Sequence, residues 1–283
     1  MKNLGKVFKE LRESRKISLR KATGDDFSAS LLSRFENGKS EISAQKLFVA
    51  LENIHANVEE LLFLARGFHQ DANSEFRNQL FKAVNPKDLT SLHTLYQREY
   101  QQIPFSKDKQ EHILNAILIK SYMKAIDETI TLTSEEERVL HDYLFSVEIW
   151  GLYELSFFSS CSPLLSVQLL TKYTREMLRK SDFLQGVGKK RNMMHTLLLN
   201  GFMTCIEADD FTNALYFKKQ IEKNFFEENE TYFRIVYLWA EGLLDSKQGR
   251  VEDGQRKMED AVRIFEMIGC SKSADYYRSA IEC

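Results

Sequence analysis

Apolar residues recur at intervals of three and four along most of this chain, and that spacing is typical of amphipathic α-helices. Three stretches show it most clearly, and they begin at Leu114, Leu140 and Tyr232. The 283 residues include only 3 Pro and 12 Gly, so few positions can interrupt a helix. The sequence therefore predicts an all-α protein.

Helix-capping residues divide the first 66 residues at short intervals. Ser18, Ser28, Ser43 and Asn57 can each accept a hydrogen bond from the first turn of a helix. Glu60, three residues after Asn57, completes a capping-box pattern. We predict five short helices that pack into a bundle over residues 1–66. On the fourth helix, the side chains predicted to face inward are Leu47, Phe48 and Leu51.

The third of these helices has the size and polarity of a DNA-reading helix. Ser28 begins it, Leu32 and Phe35 share a buried stripe, and a glycine at position 38 ends it. A helix of this size fits the major groove of B-DNA. We predict DNA contacts from the side opposite the stripe, from the helix exit and from the preceding basic residues: Ala29, Ser30, Ser33, Arg34, Asn37, Lys39, Ser40, Arg15, Lys16, Arg20 and Lys21.

Charge is distributed unevenly along the chain. Residues 1–66 contain 12 Lys and Arg against 9 Asp and Glu, whereas the remainder contains 27 against 32. A basic front and an acidic remainder indicate that only the front meets a polyanion. The alternative interpretation is a small helical bundle whose basic residues only keep it soluble.

Residues 67–75 are small and polar and are predicted to form a linker, followed by a helical repeat domain over 76–283. The sequence from Phe211 resembles that from Val251, a period near 40 residues. Ala214 and Gly254 occupy matching places, where a small residue lets two helices approach closely. We predict stacked, tetratricopeptide-like helix hairpins, whose concave face suits an extended peptide.

Several classes of protein lack support in the sequence. The four cysteines are far apart, and the six histidines show no metal-ligand spacing, so we predict no metal site and no cofactor. No nucleophile–base pattern or phosphate-binding loop indicates an enzyme. No run of eighteen apolar residues or signal peptide occurs, so we expect a cytoplasmic protein that does not enter the membrane.

The segment from Leu11 to Leu47, including Phe35-Glu36-Asn37-Gly38-Lys39, resembles the helix-turn-helix of the xenobiotic-response-element type. That resemblance implies a structural ion pair between Arg12 and Glu36, which would join the first helix to the recognition helix. It also implies binding to double-stranded DNA.

The whole chain resembles the Rgg (Rgg/GadR/MutR) family of Gram-positive regulators. The carrying segments are 40–43, 149–155, 197–200 and 241–242. Members are cytoplasmic, homodimeric transcription regulators, and several are quorum-sensing receptors for short pheromone peptides. Some members have a cysteine bridge near the start of the fourth helix; this chain has Ala44 there.

The resemblance implies a short hydrophobic signalling peptide in the concave face. Such a peptide needs partners for its backbone amides, which asparagine side chains can supply. The predicted peptide-binding residues are Tyr153, Arg191, Asn192, Asn200, Tyr232 and Phe233. Two alternatives stay open: these asparagines are solvated and these aromatics lie in the core, or the repeat domain binds a protein partner instead of a peptide.

Overall fold

In the residues that the computed structural model describes, all regular secondary structure is helical, which confirms the predicted all-α class. The model describes residues 3–67, 72–84, 87–180, 188–223 and 225–281. The chain divides into two compact units, Met1–Lys82 and Ala83–Cys283. Residues 68–71 of the predicted linker lie outside the described residues, and its last four, 72–75, belong to a helix. No described helix has the length and apolar composition needed to span a membrane.

The first unit contains short helices that start where the capping residues predict. Asn3, Ser18, Ser28, Ser43 and Asn57 each accept a backbone hydrogen bond at a helix start. The helices are α1 (Leu4–Ser14), α2 (Leu19–Thr23), α3 (Ala29–Glu36), α4 (Ala44–Asn53), α5 (Val58–Ala65) and α6 (Ala72–Val84), the last of which continues past Lys82.

Two expectations about this unit need correction. The carboxylate of Glu60 accepts hydrogen bonds from Arg15 Nη2 at 2.8 and 3.0 Å, instead of turning back to complete a capping box with Asn57. Phe48 is 49% exposed rather than facing inward. Leu47 and Leu51 are four residues apart and share the core-facing side of α4, whereas the next residue after Leu47 is rotated by about 100°.

The second unit is a stack of helices in two layers. Its helices are α7 (Leu89–Gln102), α8 (Lys109–Lys124), α9 (Ser134–Ser146), α10 (Leu152–Cys161), α11 (Val167–Lys180), α12 (Gly188–Glu207), α13 (Phe211–Lys223), α14 (Thr231–Lys247), α15 (Val251–Met267) and α16 (Ser271–Ser279). Helices α8, α10, α12 and α14 pack side by side, and we call them the first layer. Helices α9, α11, α13 and α15 each lie against a first-layer helix and form the second layer.

The two layers are held together differently. First-layer helices contact each other directly, whereas long side chains span the distance between α11 and α13. The Arg175 guanidinium donates to Asn213 Oδ1 at 3.1 Å and lies 4.2 Å from the centre of the Tyr216 ring. A stack that packs more closely on one side curves toward that side. We therefore expect the first layer to line the inner face of the repeat stack.

Small residues permit the close crossing of α14 and α15, as the repeat pattern predicts. A Cβ atom at Gly254 would lie 2.4 Å from the carbonyl oxygen of Gly242 and 2.2 Å from Ser246 Oγ. Ala214, at the matching place on α13, is fully buried. These positions have no room for a larger side chain in the present packing.

Candidate functional site

The third helix presents a polar side outward because its apolar side is anchored in the core. Ser28 Oγ accepts a hydrogen bond from the backbone N–H of Leu31 at 3.2 Å and begins the helix. Leu32 is fully buried, and the half-buried Phe35 ring lies 6.4 Å from that of Phe8. The polar residues Ser30 and Arg34 are exposed, and the half-buried Ala29 and Ser33 flank them.

The exit of this helix is a tight turn that carries three of the predicted contacts. Asn37 Nδ2 donates to the Ser33 carbonyl at 2.8 Å, and Gly38 adopts φ +68°, a conformation that favours glycine. Asn37 and Lys39 are exposed, whereas Ser40 is half-buried. The turn therefore leaves an amide and an ammonium group accessible beside the outer side of α3.

The basic residues that precede α3 divide into two kinds. Lys16, Arg20 and Lys21 are exposed, and Lys16 has a positive φ of 56° in the turn between α1 and α2. Arg15 differs, because its guanidinium is paired with Glu60. An arginine already matched by a carboxylate attracts phosphate less than an unpaired one. Arg15 is therefore the weakest phosphate candidate of the four.

A buried ion pair connects α1 to α3. Arg12 Nε and Nη2 donate to the two carboxylate oxygens of Glu36 at 2.6 and 2.8 Å, and Nη1 donates to the Ile17 carbonyl at 2.7 Å. These hydrogen bonds raise the pKa of Arg12. A Cβ at Gly5 would lie only 2.0 Å from the Phe35 carbonyl oxygen, so the backbone of α1 also touches the end of α3. Helix α3 is therefore held against α1 at two points.

The predicted peptide-binding residues lie on three first-layer helices of the second unit. Tyr153 belongs to α10, the 191–200 residues to α12, and Tyr232 and Phe233 to α14. Asn192 is exposed and Asn200 is half-buried. The fold thus places these residues on neighbouring helices of the first layer.

Arg191 does not offer a free guanidinium. Its Nε and Nη2 donate to Glu230 at 2.9 and 3.0 Å, and Nη2 also donates to the Phe225 carbonyl at 3.0 Å. Burial opposes ionisation of Glu230, but the Arg191 hydrogen bonds prevail and lower the pKa of its carboxyl. The carboxylate that Arg191 holds in this structure therefore belongs to the protein itself.

A buried histidine that the sequence analysis did not assign to the site adjoins this pair. His195 is fully buried, with Nε2 3.4 Å from a Glu230 oxygen, and its ring lies 4.7 and 5.5 Å from those of Phe226 and Phe233. Burial lowers the pKa of His195 to about 4, so the ring is neutral at pH 7. His195 lies four residues after Arg191, so both side chains project from one side of α12. This spacing is the sequence signal that could have identified His195 as a neighbour of Arg191.

The predicted aromatic residues contribute partly to the core. The half-buried Phe233 ring stacks on Phe226 at 5.9 Å, and the half-buried Tyr153 ring lies 6.4 Å from that of Phe157. Tyr232 is half exposed, with its ring 5.7 Å from that of Phe265 on α15. Of the three, Tyr232 is the side chain with the most accessible surface.

Comparison with known proteins agrees with this architecture. The family model described as "HTH-type transcriptional regulator Rgg, C-terminal domain" matches residues 94–279. The crystal structure of the SHP pheromone receptor Rgg2 from Streptococcus dysgalactiae is 26% identical, covers 98% of each chain and gives a TM-score of 0.80.

Two more distant structures share the fold. A Listeria monocytogenes EGD-e protein described as a transcriptional regulator is 19% identical, with a TM-score of 0.80 over 99% of this chain and 96% of its own. The PrgX/cCF10 complex is 16% identical, with a TM-score of 0.71 over 99% and 98%. Because the family model spans well over half of the sequence, this chain belongs to the Rgg family of helix-turn-helix-type transcriptional regulators.

Proposed function

We propose that this chain is a homodimeric regulator that reads promoter DNA with α3 and is controlled by a short apolar signalling peptide bound on the first layer. A protein that acts on promoter DNA works in the cytoplasm of a bacterium. One observation supports DNA binding most directly. Ser30 and Arg34 of α3 are exposed, whereas Leu32 and Glu36 of the same helix are buried.

The DNA-binding mechanism follows from how rigidly α3 is held. The Arg12–Glu36 pair and the close approach of Gly5 fix the helix against α1, so the outward side chains are positioned before DNA arrives. Arg34 can donate two hydrogen bonds to guanine, and Lys39 can meet a phosphate. We call the first unit, Met1–Lys82, the head. In a dimer, the two heads would contact half-sites about 10 base pairs apart or a multiple of that distance.

Two observations support the peptide part of the proposal. The relative Rgg2, which this chain matches over nearly its full length, is described as a pheromone receptor. On the first layer, Asn192 and Asn200 of α12 offer amide donors and acceptors, and the half-exposed Tyr232 of the neighbouring α14 offers an aromatic ring. An extended apolar peptide needs that combination, because its buried amides are costly when unpaired.

The experiment is a footprint on the DNA that flanks the gene for this protein, with and without culture filtrate, using the full chain. We expect a protected site whose occupancy or extent changes with filtrate. An Asn192→Ala/Asn200→Ala variant should protect the same site but lose the response to filtrate. Absence of any protected site would contradict the proposal that the chain binds DNA. An unchanged response to filtrate in the variant would contradict the proposal that a peptide binds at these asparagines.

A second candidate function is control by a protein partner in place of a peptide. The observation in its favour is that Glu230 already neutralises Arg191, so this predicted peptide-binding residue has no free guanidinium to offer a peptide carboxylate. Isothermal titration of the full chain with apolar octapeptides separates the two. Saturable heat that the asparagine variant abolishes supports a peptide ligand, and absence of heat supports the partner.

A further inference from the structure

The second layer carries a cavity that is lined by both apolar and charged side chains. It has a volume of about 320 Å³ and lies between the end of α9, the segment 147–150 and α11. Its walls include Trp150 and Tyr173, which are 1% and 5% exposed. Both rings contact Phe158 of the core, with centroid distances of 5.4 and 6.3 Å. The walls are therefore fixed by the core and have room for one bulky side chain.

Three basic and two acidic residues lie at the edge of this cavity. Lys172, Arg179 and Lys180 line it together with Glu148 and Glu176. Arg179 pairs with Glu176 at 2.8 Å, and Lys180 pairs with Glu148 at 3.3 Å. Lys172 instead lies over the Phe145 ring, 6.0 Å from its centre, and forms no ion pair within the described part of the chain.

The basic character extends along the exposed side of α11. Arg175, one turn from Lys172, contacts only the neutral Asn213 and Tyr216 among its described partners. The chain after residue 66 contains more acidic than basic residues, 32 against 27. A basic helix surface in an acidic domain favours an acidic partner, because complementary charge speeds encounter and fixes orientation.

Large apolar side chains are exposed beside the same cavity. Phe145 is 73% exposed and lines it, and Ile149, 68% exposed, lies between the lining residues Glu148 and Trp150. Leu152, at the start of α10, is 38% exposed. Apolar groups that cluster around a concave site, bordered by charge, are typical of a protein-interaction surface.

We propose that this surface, formed by Phe145, Ile149, the cavity and the exposed side of α11, docks an acidic amphipathic segment of a partner protein. One bulky apolar side chain of that segment enters the cavity, and its carboxylates meet Lys172 and Arg175, which form no ion pair among the described residues. This site lies on the second layer, whereas the predicted peptide-binding residues lie on the first, so the regulator has separate places for its signal and for a protein partner.

The test measures fluorescence anisotropy of three labelled synthetic peptides with the full chain. The first alternates leucine and phenylalanine with aspartate and glutamate, the second replaces the acids with lysine, and the third replaces the apolar residues with alanine. We expect the first to bind at least about tenfold more tightly than the other two. Equal binding of the acidic and lysine peptides would overturn the proposal.

Variants locate the binding. Lys172→Glu/Arg175→Glu should weaken the acidic peptide about tenfold, and Lys172→Gln/Arg175→Gln should weaken it less. The matched control Lys219→Glu/Arg263→Glu changes net charge equally on exposed positions of α13 and α15 and should stay within twofold of the native chain. An equal loss in this control would overturn the proposal.

A second pair of matched variants tests how much the exposed apolar side chains contribute to binding. Phe145→Ala should weaken the acidic peptide severalfold, whereas Leu215→Ala, an exposed apolar residue on α13, should not. The Asn192→Ala/Asn200→Ala variant should bind this peptide as the native chain does. If that variant loses binding while the Lys172 and Arg175 variants retain it, the peptide occupies the first layer and the docking surface is wrong.

Discussion

The head and the repeat stack differ in how clearly the pattern of buried and exposed residues on a helix indicates which residues bind a ligand. In the head, α3 buries only Leu32 and Glu36, so its exposed side is available for recognition. In the stack, α12 buries residues in consecutive positions, including Leu197, Leu198 and Leu199. A helix enclosed on several sides mixes core and ligand-facing residues, because core packing and recognition draw on the same residue types. Site prediction from sequence is therefore sharper for helices with one buried side.

The largest expected effect lies in the head and concerns its buried ion pair. Glu36→Ala leaves the Arg12 guanidinium buried without its carboxylate, which should destabilise the head by about 3–5 kcal/mol. Urea unfolding of the full chain, followed by circular dichroism and by loss of DNA binding, measures this. The double variant Arg12→Met/Glu36→Leu removes both charges and should recover most of the loss. A double variant as unstable as the single one would contradict this explanation.

The next effect concerns pH and the stack. His195 has a pKa of about 4 when folded and an ordinary value near 6.5 when unfolded, so the unfolded chain takes up a proton first as pH falls. Stability is therefore present above pH 6.5 and declines between pH 6.5 and 4, by on the order of 2–3 kcal/mol. The low pKa of Glu230 adds a further loss below its ordinary range.

The variant His195→Gln isolates the histidine contribution. Chemical unfolding at pH 7 and at pH 5 should show a smaller difference in stability for this variant than for the native chain. The exposed His55 on the head provides the control, because His55→Gln should leave the difference unchanged. If His195→Gln retains the full pH dependence, the buried ring is not its source.

A smaller effect separates helix propensity from packing in the stack. Gly254→Ala replaces glycine with a residue whose helix propensity is about 1 kcal/mol better. The added Cβ would lie within 2.4 Å of the Gly242 carbonyl oxygen, so we expect a net loss of about 1–3 kcal/mol. Thermal unfolding checks the sign, with Gln255→Ala on the exposed neighbouring position as the control. A more stable Gly254→Ala variant would contradict the close crossing of α14 and α15.

The helices of the head were predictable because their signals are local. The caps at Ser18, Ser28 and Ser43 lie next to the helices they begin, and the spacing of Leu32 and Phe35 gives the buried stripe. Phe48 was misassigned because an apolar residue adjacent to a core residue does not have to share its side.

Long-range pairing was less accessible. Arg191 and Glu230 are separated by 39 residues and meet only because α12 and α14 are neighbours in the first layer. Periodicity predicts that both segments are helical, but not which charged residues face each other. The burial of His195 has the same cause, because the rings of Phe226 and Phe233 that pack against it come from the start of α14 and the segment before it. The predicted peptide-binding residues remain predictions for this reason.

The most direct test of the account is the contribution of Arg34 to sequence recognition. Binding of the full chain to its footprinted site and to a scrambled duplex should be measured at one salt concentration for Arg34→Ala and for Lys21→Ala. We predict that Arg34→Ala weakens specific binding by about 1–3 kcal/mol with little change on the scrambled duplex, whereas Lys21→Ala weakens both equally. Equal losses on both duplexes for Arg34→Ala would contradict a base-reading role for the outer side of α3.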